Sequence, residues 1–406
     1  MGDVMVTMRR QLLQATAIAA LALVIFTYVT YIGPGPTPQG DTGGERDPFG
    51  LGPLPELVPG DGLLQRLQAA QDHIIGYLAN DHGNALYIMD LTEEVYLGKV
   101  EFKTESNRGG PSGISLSQDG SRILVTRSKF SNDILVVDSL SLELLKRIPG
   151  GRYNKRIVPN YERDEAYVLS GHYLEQKIHI LDLGSLEITD SIGLSSQPGT
   201  AALSPDSDIL YATVDSGVVF IDLETREVTM EFDMNTTYWK RVVVHPSGDR
   251  LFVVNNPHMK DRWPLVEVFN TSTGAKITNI WGLTNETTWD GAVTCIAISP
   301  DGRKLYSVSQ ENLMVVVNTT SYGEISRKDV SQDKYVGGKP DYIYFSDDGL
   351  KAYLVYGGGI PIDTPVPDNP SVIGVMDTRQ YTFSKIITLD EYAGAGQMAI
   401  LTQPGE

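Results

Sequence analysis

The sequence predicts an all-β fold in which seven copies of one four-stranded unit close into a ring. One unit recurs along most of the chain, and the two ends of the repeat region each hold part of an incomplete copy. The clearest copy covers residues 295–330, CIAISPDGRKLYSVSQENLMVVVNTTSYGEISRKDV. Apolar or alternating segments of strand length are separated there by Pro, Gly, Asp and Asn, which favour turns.

The halves of this unit recur at a steady interval. The first half begins again near residues 113, 157, 200, 241 and 342, which gives six copies with the one at 295. The second half ends its strand on Asp or Asn, at Asp90, Asp138, Asp182, Asp222, Asn270, Asn318 and Asp377. The spacing of 40 to 59 residues is close to that of the four-stranded blades of β-propellers.

The repeat region has six copies of the first half of the unit and seven of the second half, and this difference predicts how the ring closes. The copy that ends at Asp90 has no first strand, and the segment GQMAILTQ near the carboxyl end is a strand without a unit of its own. We expect residues 397–401 to pair beside residues 74–80, since a shared blade leaves no free inner edge. The sequence therefore predicts a seven-bladed β-propeller, with a β-sandwich as the alternative.

Two stretches resemble a known repeat. SPDGRKLY at 299–306 and HPSGDRLFVVNN at 245–256 resemble the repeats of the YVTN-type surface propellers. That group is similar to the lactonase propellers and to the propellers of the quinohaemoprotein amine dehydrogenase β-chain type. The resemblance covers about residues 72–403 and implies the propeller fold. The shared residues are turn and strand residues, so no catalytic residue is carried over.

The amino-terminal part predicts a membrane anchor. Residues 12–32 carry no charge and are long enough to cross a bilayer as a helix, and Arg9 and Arg10 precede them. The positive-inside rule places residues 1–11 in the cytoplasm and the propeller on the extracytoplasmic side. A cleaved signal peptide is the alternative. Residues 33–71 are predicted to be a Pro/Gly-rich tether ending in a short helix, and residues 72–404 the propeller.

The net charge, the cysteine count and the motifs present limit the classes of partner and cofactor that are expected. The net charge of −18 disfavours nucleic acid as a partner. The single cysteine, Cys295, excludes an intramolecular disulfide and lies in an apolar segment, so we expect a buried thiol. No sequence motif for a cofactor or for catalysis is found, and no cofactor is expected.

The loops of a propeller divide into two faces. Turns within each strand pair are short and uniform, and we call their side the short-turn face. Loops between the second and third strands and between blades are long and variable, and we call their side the long-loop face. Binding residues are expected on the long-loop face because binding usually resides on variable loops of a rigid scaffold.

Aromatic and basic residues cluster in the predicted long loops around one blade. The candidate binding residues are Trp239, Lys240, His258, Arg262, Trp263, Trp281 and Trp289. Such residues are typical of protein interfaces and sugar-binding surfaces. The alternative is that the tryptophans form small cores within the loops.

Two further sets of side chains are candidates for ligands or modification. The histidines at corresponding loop positions, His82, His172 and His258, are candidate metal ligands without a recognised ligand motif. The sequons at Asn235, Asn270, Asn285 and Asn318 are candidate glycosylation sites, and turn capping is the alternative for Asn270 and Asn318.

These observations predict a membrane-anchored, extracytoplasmic propeller that binds surface proteins or glycans without catalysis. The alternatives are an enzyme or enzyme subunit, such as a lactonase-like hydrolase or the propeller subunit of an envelope oxidoreductase, and a structural ring within a larger complex.

Overall fold

The computed structural model of the 406-residue chain describes most of the repeat region. The described residues are 54–80, 84–103, 110–127, 131–151, 153–172, 175–234, 241–256, 265–285, 292–331, 338–357, 371–389 and 396–402. The predicted anchor at 12–32 and most of the long loops lie outside these ranges. Among the described residues, no helix is both long and apolar enough to cross a membrane.

Seven antiparallel sheets form the seven blades of a β-propeller, which confirms the predicted all-β fold. Blade 1 contains, from its inner to its outer edge, β29 (Gln397–Leu401), β2 (Ile75–Asn80), β3 (Ala85–Asp90), β4 (Val95–Lys103) and β1 (Glu56–Pro59). Blade 2 contains β5 (Pro111–Leu116), β6 (Arg122–Arg127), β7 (Asp133–Asp138) and β8 (Leu144–Pro149). Blade 3 contains β9 (Asn154–Asn160), β10 (Glu165–His172), β11 (Glu175–Asp182) and β12 (Glu187–Gly193), with a 3-10 turn at Tyr161–Arg163.

The remaining four blades repeat this order. Blade 4 contains β13 (Pro198–Leu203), β14 (Ile209–Val214), β15 (Gly217–Asp222) and β16 (Glu227–Asp233). Blade 5 contains β17 (Val242–Val244), β18 (Arg250–Asn255), β19 (Leu265–Asn270) and β20 (Lys276–Ile280). Blade 6 contains β21 (Val293–Ile298), β22 (Lys304–Ser309), β23 (Leu313–Asn318) and β24 (Glu324–Asp329). Blade 7 contains β25 (Lys339–Phe345), β26 (Lys351–Gly357), β27 (Val372–Asp377) and β28 (Thr382–Thr388).

The ring closes through the strand that the sequence left without a unit. β29 pairs antiparallel with β2, with Ile75 opposite Leu401 and Ala79 opposite Gln397. The apolar residues between blades 7 and 1 form one buried cluster that includes Leu78 and Met398 from blade 1 and Val355 from blade 7. The predicted closure is therefore confirmed, and the inner edge of β2 is covered.

The end of the predicted tether belongs to the propeller. β1 pairs with β4 and adds a fifth strand to the outer edge of blade 1. The short helix α1 (Leu63–Ala69) follows, and Leu63 and Leu67, one helical turn apart, are fully buried. Arg66 Nε donates a hydrogen bond to the Leu97 carbonyl at 2.7 Å. The pairing of residues 56–59 was missed because this segment lacks the period of a strand.

The short-turn face is built from one repeated set of turns. In blade 6, Ser299 Oγ donates to the carboxylate of Asp301 and accepts from the backbone N–H of Lys304. The same arrangement recurs in blade 7 with Ser346, Asp348 and Lys351. These side-chain bonds satisfy the turn locally, which is why Ser, Asp and Gly recur there in the sequence.

Neighbouring blades are joined by equivalent hydrogen bonds near the axis. Thr294 Oγ1 in blade 6 donates to the Pro340 carbonyl of blade 7 at 2.6 Å, and Ser112 Oγ in blade 2 donates to the Asn154 carbonyl of blade 3 at 2.5 Å. Because the two acceptors hold equivalent places in β25 and β9, the inner strands are fixed at the same height in both pairs of blades.

Candidate functional site

The innermost strands bring four side chains, two of them arginines, to one level around the axis. Arg156, Cys295 and Tyr342 each stand opposite the fifth residue of the neighbouring second strand. Arg241 takes the same level, since its carbonyl accepts a hydrogen bond from Val254, the fifth residue of β18. We call Arg156, Arg241 and Tyr342, with Lys155 and Asp341, the axial cluster. All five lie near the start of their inner strands, on the long-loop side.

Two arginines converge on one tyrosine from different blades. Arg156 Nη2 of blade 3 donates a hydrogen bond of 2.8 Å to the Tyr342 hydroxyl of blade 7, and its Cζ lies 5.2 Å from the centre of the ring. Arg241 of blade 5 places its Cζ 4.7 Å from the same ring centre and donates from Nε to the Thr294 carbonyl at 3.0 Å. Blades 3, 5 and 7 are not neighbours, so these contacts span the axis of the ring.

A β-bulge adds a second layer of polar groups beside this level. In β25, Pro340 stands opposite Tyr356 and Tyr342 opposite Val355, so Asp341 is an extra residue without a pairing partner. The same bulge in β9 leaves Lys155 as the extra residue. Bulges re-aim side chains and are frequent next to functional sites.

The axial environment changes the protonation of both bulge residues. Burial raises the pKa of the Asp341 carboxyl to about 6, although the charges of Arg241 and Lys339 oppose this shift. The Lys155 residue is exposed as a whole, but the end of its side chain packs against Gly171, where it takes the space that a Cβ would fill. Incomplete hydration therefore lowers the pKa of Lys155, with the charge of Asp215 opposing the shift.

Tyr342 and two groups next to the axial cluster, Tyr344 and Cys295, remain neutral near pH 7. Burial raises the pKa of Tyr342 and of Tyr344, whose rings stack at 6.1 Å. The Tyr344 hydroxyl accepts a hydrogen bond from the backbone of Met398 at 2.9 Å, which ties blade 7 to β29. Burial also raises the pKa of the Cys295 thiol to about 11, so it is a neutral thiol, as the sequence predicted.

The cluster supplies hydrogen-bond donors and one group able to exchange a proton near neutral pH. Guanidinium groups bind carboxylates and phosphates, and a neutral tyrosine can donate a further hydrogen bond. Asp341 is the carboxyl group suited to act as acid or base, since its pKa lies near 6. Within the described ranges, no group of three His, Cys, Asp or Glu residues could hold a metal ion.

A contrasting arginine lies in blade 2. Arg127 is fully buried and forms a two-point ion pair with Asp133 through Nε and Nη2, and Arg147 Nε donates to the same carboxylate at 2.6 Å. The buried guanidinium of Arg127 therefore has a carboxylate partner. Among the described residues, Arg156 and Arg241 have no carboxylate within 4.0 Å.

The structure describes Trp281 alone among the seven sequence-predicted binding residues. It follows β20, the outermost strand of blade 5, and its side chain is 56% exposed. It therefore lies at the rim of the long-loop face and away from the axial cluster. The other six lie outside the described residues: Trp239, Lys240, His258, Arg262, Trp263 and Trp289.

The metal site at the three candidate histidines stays a prediction. His82 and His258 lie outside the described residues, and for His172 the backbone is described, at the end of β10. The three histidines in other settings have protein partners: His73 Nδ1 lies 2.7 Å from the Asp90 carboxylate, His179 lies 3.1 Å from Glu175, and His245 Nε2 lies 2.8 Å from the Gly302 carbonyl of the next blade.

Two of the four sequon asparagines cap turns. Asn318 Oδ1 accepts from the backbone N–H groups of Thr320 and Ser321, and Asn270 Oδ1 accepts from that of Thr273. Asp377 makes the same turn in blade 7, so these asparagines hold the place of an aspartate. Asn285 Oδ1 accepts from Arg327 at 3.4 Å, and Asn235 lies outside the described residues. Glycosylation at these positions stays a prediction.

The axial cluster was missed in the sequence although a signal is present. Lys-Arg precedes the apolar part of the first strand at 155–156 and again at 240–241, and Asp-Tyr stands there at 341–342. First strands are otherwise apolar or small in this chain, so charged residues at their starts mark a departure from the repeat. Only the register of the seven strands shows that these positions share one level.

Comparison with known proteins gives the fold and a short stretch of similarity. No protein-family model matches the chain. Antigen Lp49 of Leptospira interrogans serogroup Icterohaemorrhagiae serovar copenhageni (strain Fiocruz L1-130) is 31% identical over 121 residues. The match covers 28% of this chain and 26% of that protein, so it spans about a quarter of the relative.

Solved structures with the same architecture include parts of two enzymes. A chain of Kuenenia stuttgartiensis hydrazine synthase superposes with a TM-score of 0.60 at 19% identity, covering 73% of this chain and 90% of that one. Dihydro-haem d1 dehydrogenase NirN in complex with DHE superposes with a TM-score of 0.56 at 11% identity. The superposition covers 81% of this chain and 75% of that one. Similarity at this level shows the fold alone: this chain is a seven-bladed β-propeller.

Proposed function

We propose that this chain is a non-catalytic binding module that presents its long-loop face to a surface protein or glycan. In this proposal, residues 12–32 anchor it in a membrane and the propeller lies on the extracytoplasmic side. The narrower kinship with YVTN-type surface propellers belongs to the same proposal. The observation that carries the binding role is the chemical difference between the two faces of the ring.

On the short-turn face, polar side chains are engaged within the protein. Ser, Asp and Asn side chains there satisfy the turns in which they lie. Basic residues at the start of second strands reach the next blade, as Lys304 does to the Thr378 carbonyl and Lys351 to Glu94. Groups that already have partners add little to the binding of a further molecule.

On the long-loop face, the described residues leave charged and aromatic surface available. The axial cluster occupies the centre, and Arg156, Arg241 and Tyr342 are only partly buried there. Trp281 adds an exposed aromatic side chain at the rim. Arginine and tryptophan at an accessible surface are the residue types that contribute most to binding energy in interfaces.

The test compares exposed apolar residues on the two faces. The full-length protein is expressed in its membrane, cross-linked to neighbouring surface components and screened against a glycan array. We expect Trp281→Ala to lower partner capture and Leu140→Ala, which removes a 50% exposed side chain on the short-turn face, to leave it unchanged. Equal capture by both variants and the parent would overturn the proposal, provided that the thermal midpoints agree.

The second candidate is an enzyme or enzyme subunit, and Asp341 is the observation that favours it. A carboxyl group with a pKa of about 6 beside Arg241 in a channel is suited to general acid–base catalysis. The structural neighbours named above are enzymes or their subunits. Hydrolysis of simple γ- and δ-lactones that is lost in Asp341→Asn and kept in Asp348→Asn would replace the binding proposal with this one.

A further inference from the structure

The axis of this acidic protein carries an excess of positive charge. The chain has a net charge of −18. Among the described residues, the charged groups near the axial cluster include Lys155, Arg156, Arg241 and Lys339 on the positive side and Asp215 and Asp341 on the negative side. A channel lined by one sign of charge concentrates ions of the opposite sign.

The two axial arginines are close to each other, and neither forms an ion pair within 4.0 Å with a described carboxylate, although the charge of Asp341 acts on Arg241 from a greater distance. Both Cζ atoms lie about 5 Å from one ring centre, so they are at most about 10 Å apart. Tyr342 between them is a neutral phenol, and Asp341 has no ion pair with either arginine in the described part of the chain. Arg127 shows the opposite arrangement, since its guanidinium is held by Asp133.

Arg156 and Arg241 also have N–H donors that the described hydrogen bonds do not use. Each guanidinium carries five N–H donors. The described hydrogen bonds of Arg156 and Arg241, to the Tyr342 hydroxyl and the Thr294 carbonyl, use fewer than that. Both residues are partly rather than fully buried, and both stand near the starts of their inner strands, on the long-loop side.

We propose that Arg156 and Arg241 form a binding site for a small oxyanion, a carboxylate or a phosphate group, held beside the ring of Tyr342. The anion takes the place of the carboxylate that the pair lacks, and it accepts hydrogen bonds from both guanidinium groups. This site goes beyond the proposed partner surface, because an anion can occupy the axis whether or not a macromolecule covers the rim.

The test uses the full-length protein in detergent with three probes at constant ionic strength: acetate, succinate and inorganic phosphate. Isothermal titration gives the affinity and thermal unfolding gives the stabilisation by bound anion. Preference for succinate or acetate identifies a carboxylate ligand, and preference for phosphate identifies a phosphate ligand. We expect Arg156→Gln and Arg241→Gln each to weaken binding roughly tenfold or more.

Matched variants separate a site from nonspecific attraction and from misfolding. Arg303→Gln removes an arginine that is 83% exposed on the short-turn face and should leave affinity unchanged. Arg241→Lys keeps the charge and should bind the anion more tightly than Arg241→Gln. Tyr342→Phe keeps the ring and should retain most of the affinity for the anion.

Three outcomes would overturn the proposal. They are the absence of saturable binding to any of the three anions, equal loss in Arg303→Gln, and unchanged affinity in both axial glutamine variants. Partner capture that depends on Trp281 tests the proposed function separately. Anion binding can therefore fail while partner capture succeeds, and the reverse also holds.

Discussion

Arg241 and Tyr342 hold the same register position in blades 5 and 7, and the guanidinium Cζ lies 4.7 Å from the centre of the tyrosine ring. Sequence separation of about one hundred residues is bridged because every blade delivers its inner strand to the same axis. The contact between Arg241 and Tyr342 therefore contributes both to packing between blades and to the group of polar side chains at the axis.

Removing the Tyr342 hydroxyl should lower stability modestly. Tyr342→Phe loses the hydrogen bond from Arg156, and we expect a decrease in the free energy of unfolding of about 1–2 kcal/mol in urea denaturation. Tyr381→Phe is the control, since Tyr381 also has a cation over its ring, Lys304 Nζ at 5.1 Å, and its hydroxyl forms no described hydrogen bond. A loss of equal size in both variants would contradict the assigned bond.

Asp341 should make the protein less stable as the pH rises. Its pKa of about 6 in the folded state lies above the usual value of 3.8, so the folded protein holds this proton more tightly than the unfolded chain. Its stabilising contribution is complete below about pH 4 and is lost as the pH rises through 6. Asp341→Asn should therefore match the parent at pH 4 and exceed its stability at pH 7.5 by roughly 1–3 kcal/mol.

Asp348→Asn is the control with the opposite sign. The hydrogen bond from Ser346 lowers the pKa of Asp348, so its contribution is present at neutral pH and is lost on acidification. This variant should be less stable than the parent at pH 7.5. Urea unfolding of both variants at pH 4 and 7.5 checks the pair, and parallel shifts in the two would rule out the burial assigned to Asp341.

Ring closure should be sensitive to one glycine. A Cβ placed at Gly396, just before β29, would lie 1.7 Å from the Ala79 carbonyl oxygen of β2. Gly396→Ala must therefore displace β29, and we expect a loss of several kcal/mol in the free energy of unfolding. At Gly193 a Cβ meets nothing within 4 Å, so Gly193→Ala should cost nothing measurable. Thermal unfolding of both variants checks this prediction, which similar midpoints would refute.

Cys295 should report on the integrity of the axis. The thiol is buried and its pKa is raised to about 11, so a disulfide reagent at pH 8 should react slowly with the native protein and with one equivalent after unfolding in urea. Arg241→Gln, which loosens the neighbouring packing, should speed the native reaction. Rapid stoichiometric labelling of the native parent would show that the inner strand of blade 6 is open.

The sequence predicted the ring because its evidence is local and repeated. Strand-ending Asp and Asn residues, turns made of Pro, Asp, Ser and Gly, and the strand at 397–401 each encode one piece of one blade, and repetition supplies the count. The axial cluster could not be predicted in the same way. Arg156, Arg241 and Tyr342 meet only because the register of three separate inner strands, two of them with a bulge, brings these residues to one level, and register is a property of the folded sheet.

The tryptophan hypothesis stays a prediction, because Trp239, Trp263 and Trp289 lie outside the described residues. Chain order groups Trp281 with other loop tryptophans, but the outermost strand delivers it to the rim. Proximity along the chain does not give the distance from the axis. β1 escaped detection for a related reason, since it is stabilised by the edge of β4 and has little pattern of its own.

The shared first blade has a consequence for biosynthesis. β2 leaves the ribosome roughly three hundred residues before β29, its partner on the inner edge. Throughout that interval the nascent ring has an open seam whose backbone groups can pair with a strand from another chain. The seam between β2 and blade 7 is therefore the part of the folding ring most open to pairing with another chain until the last strand arrives.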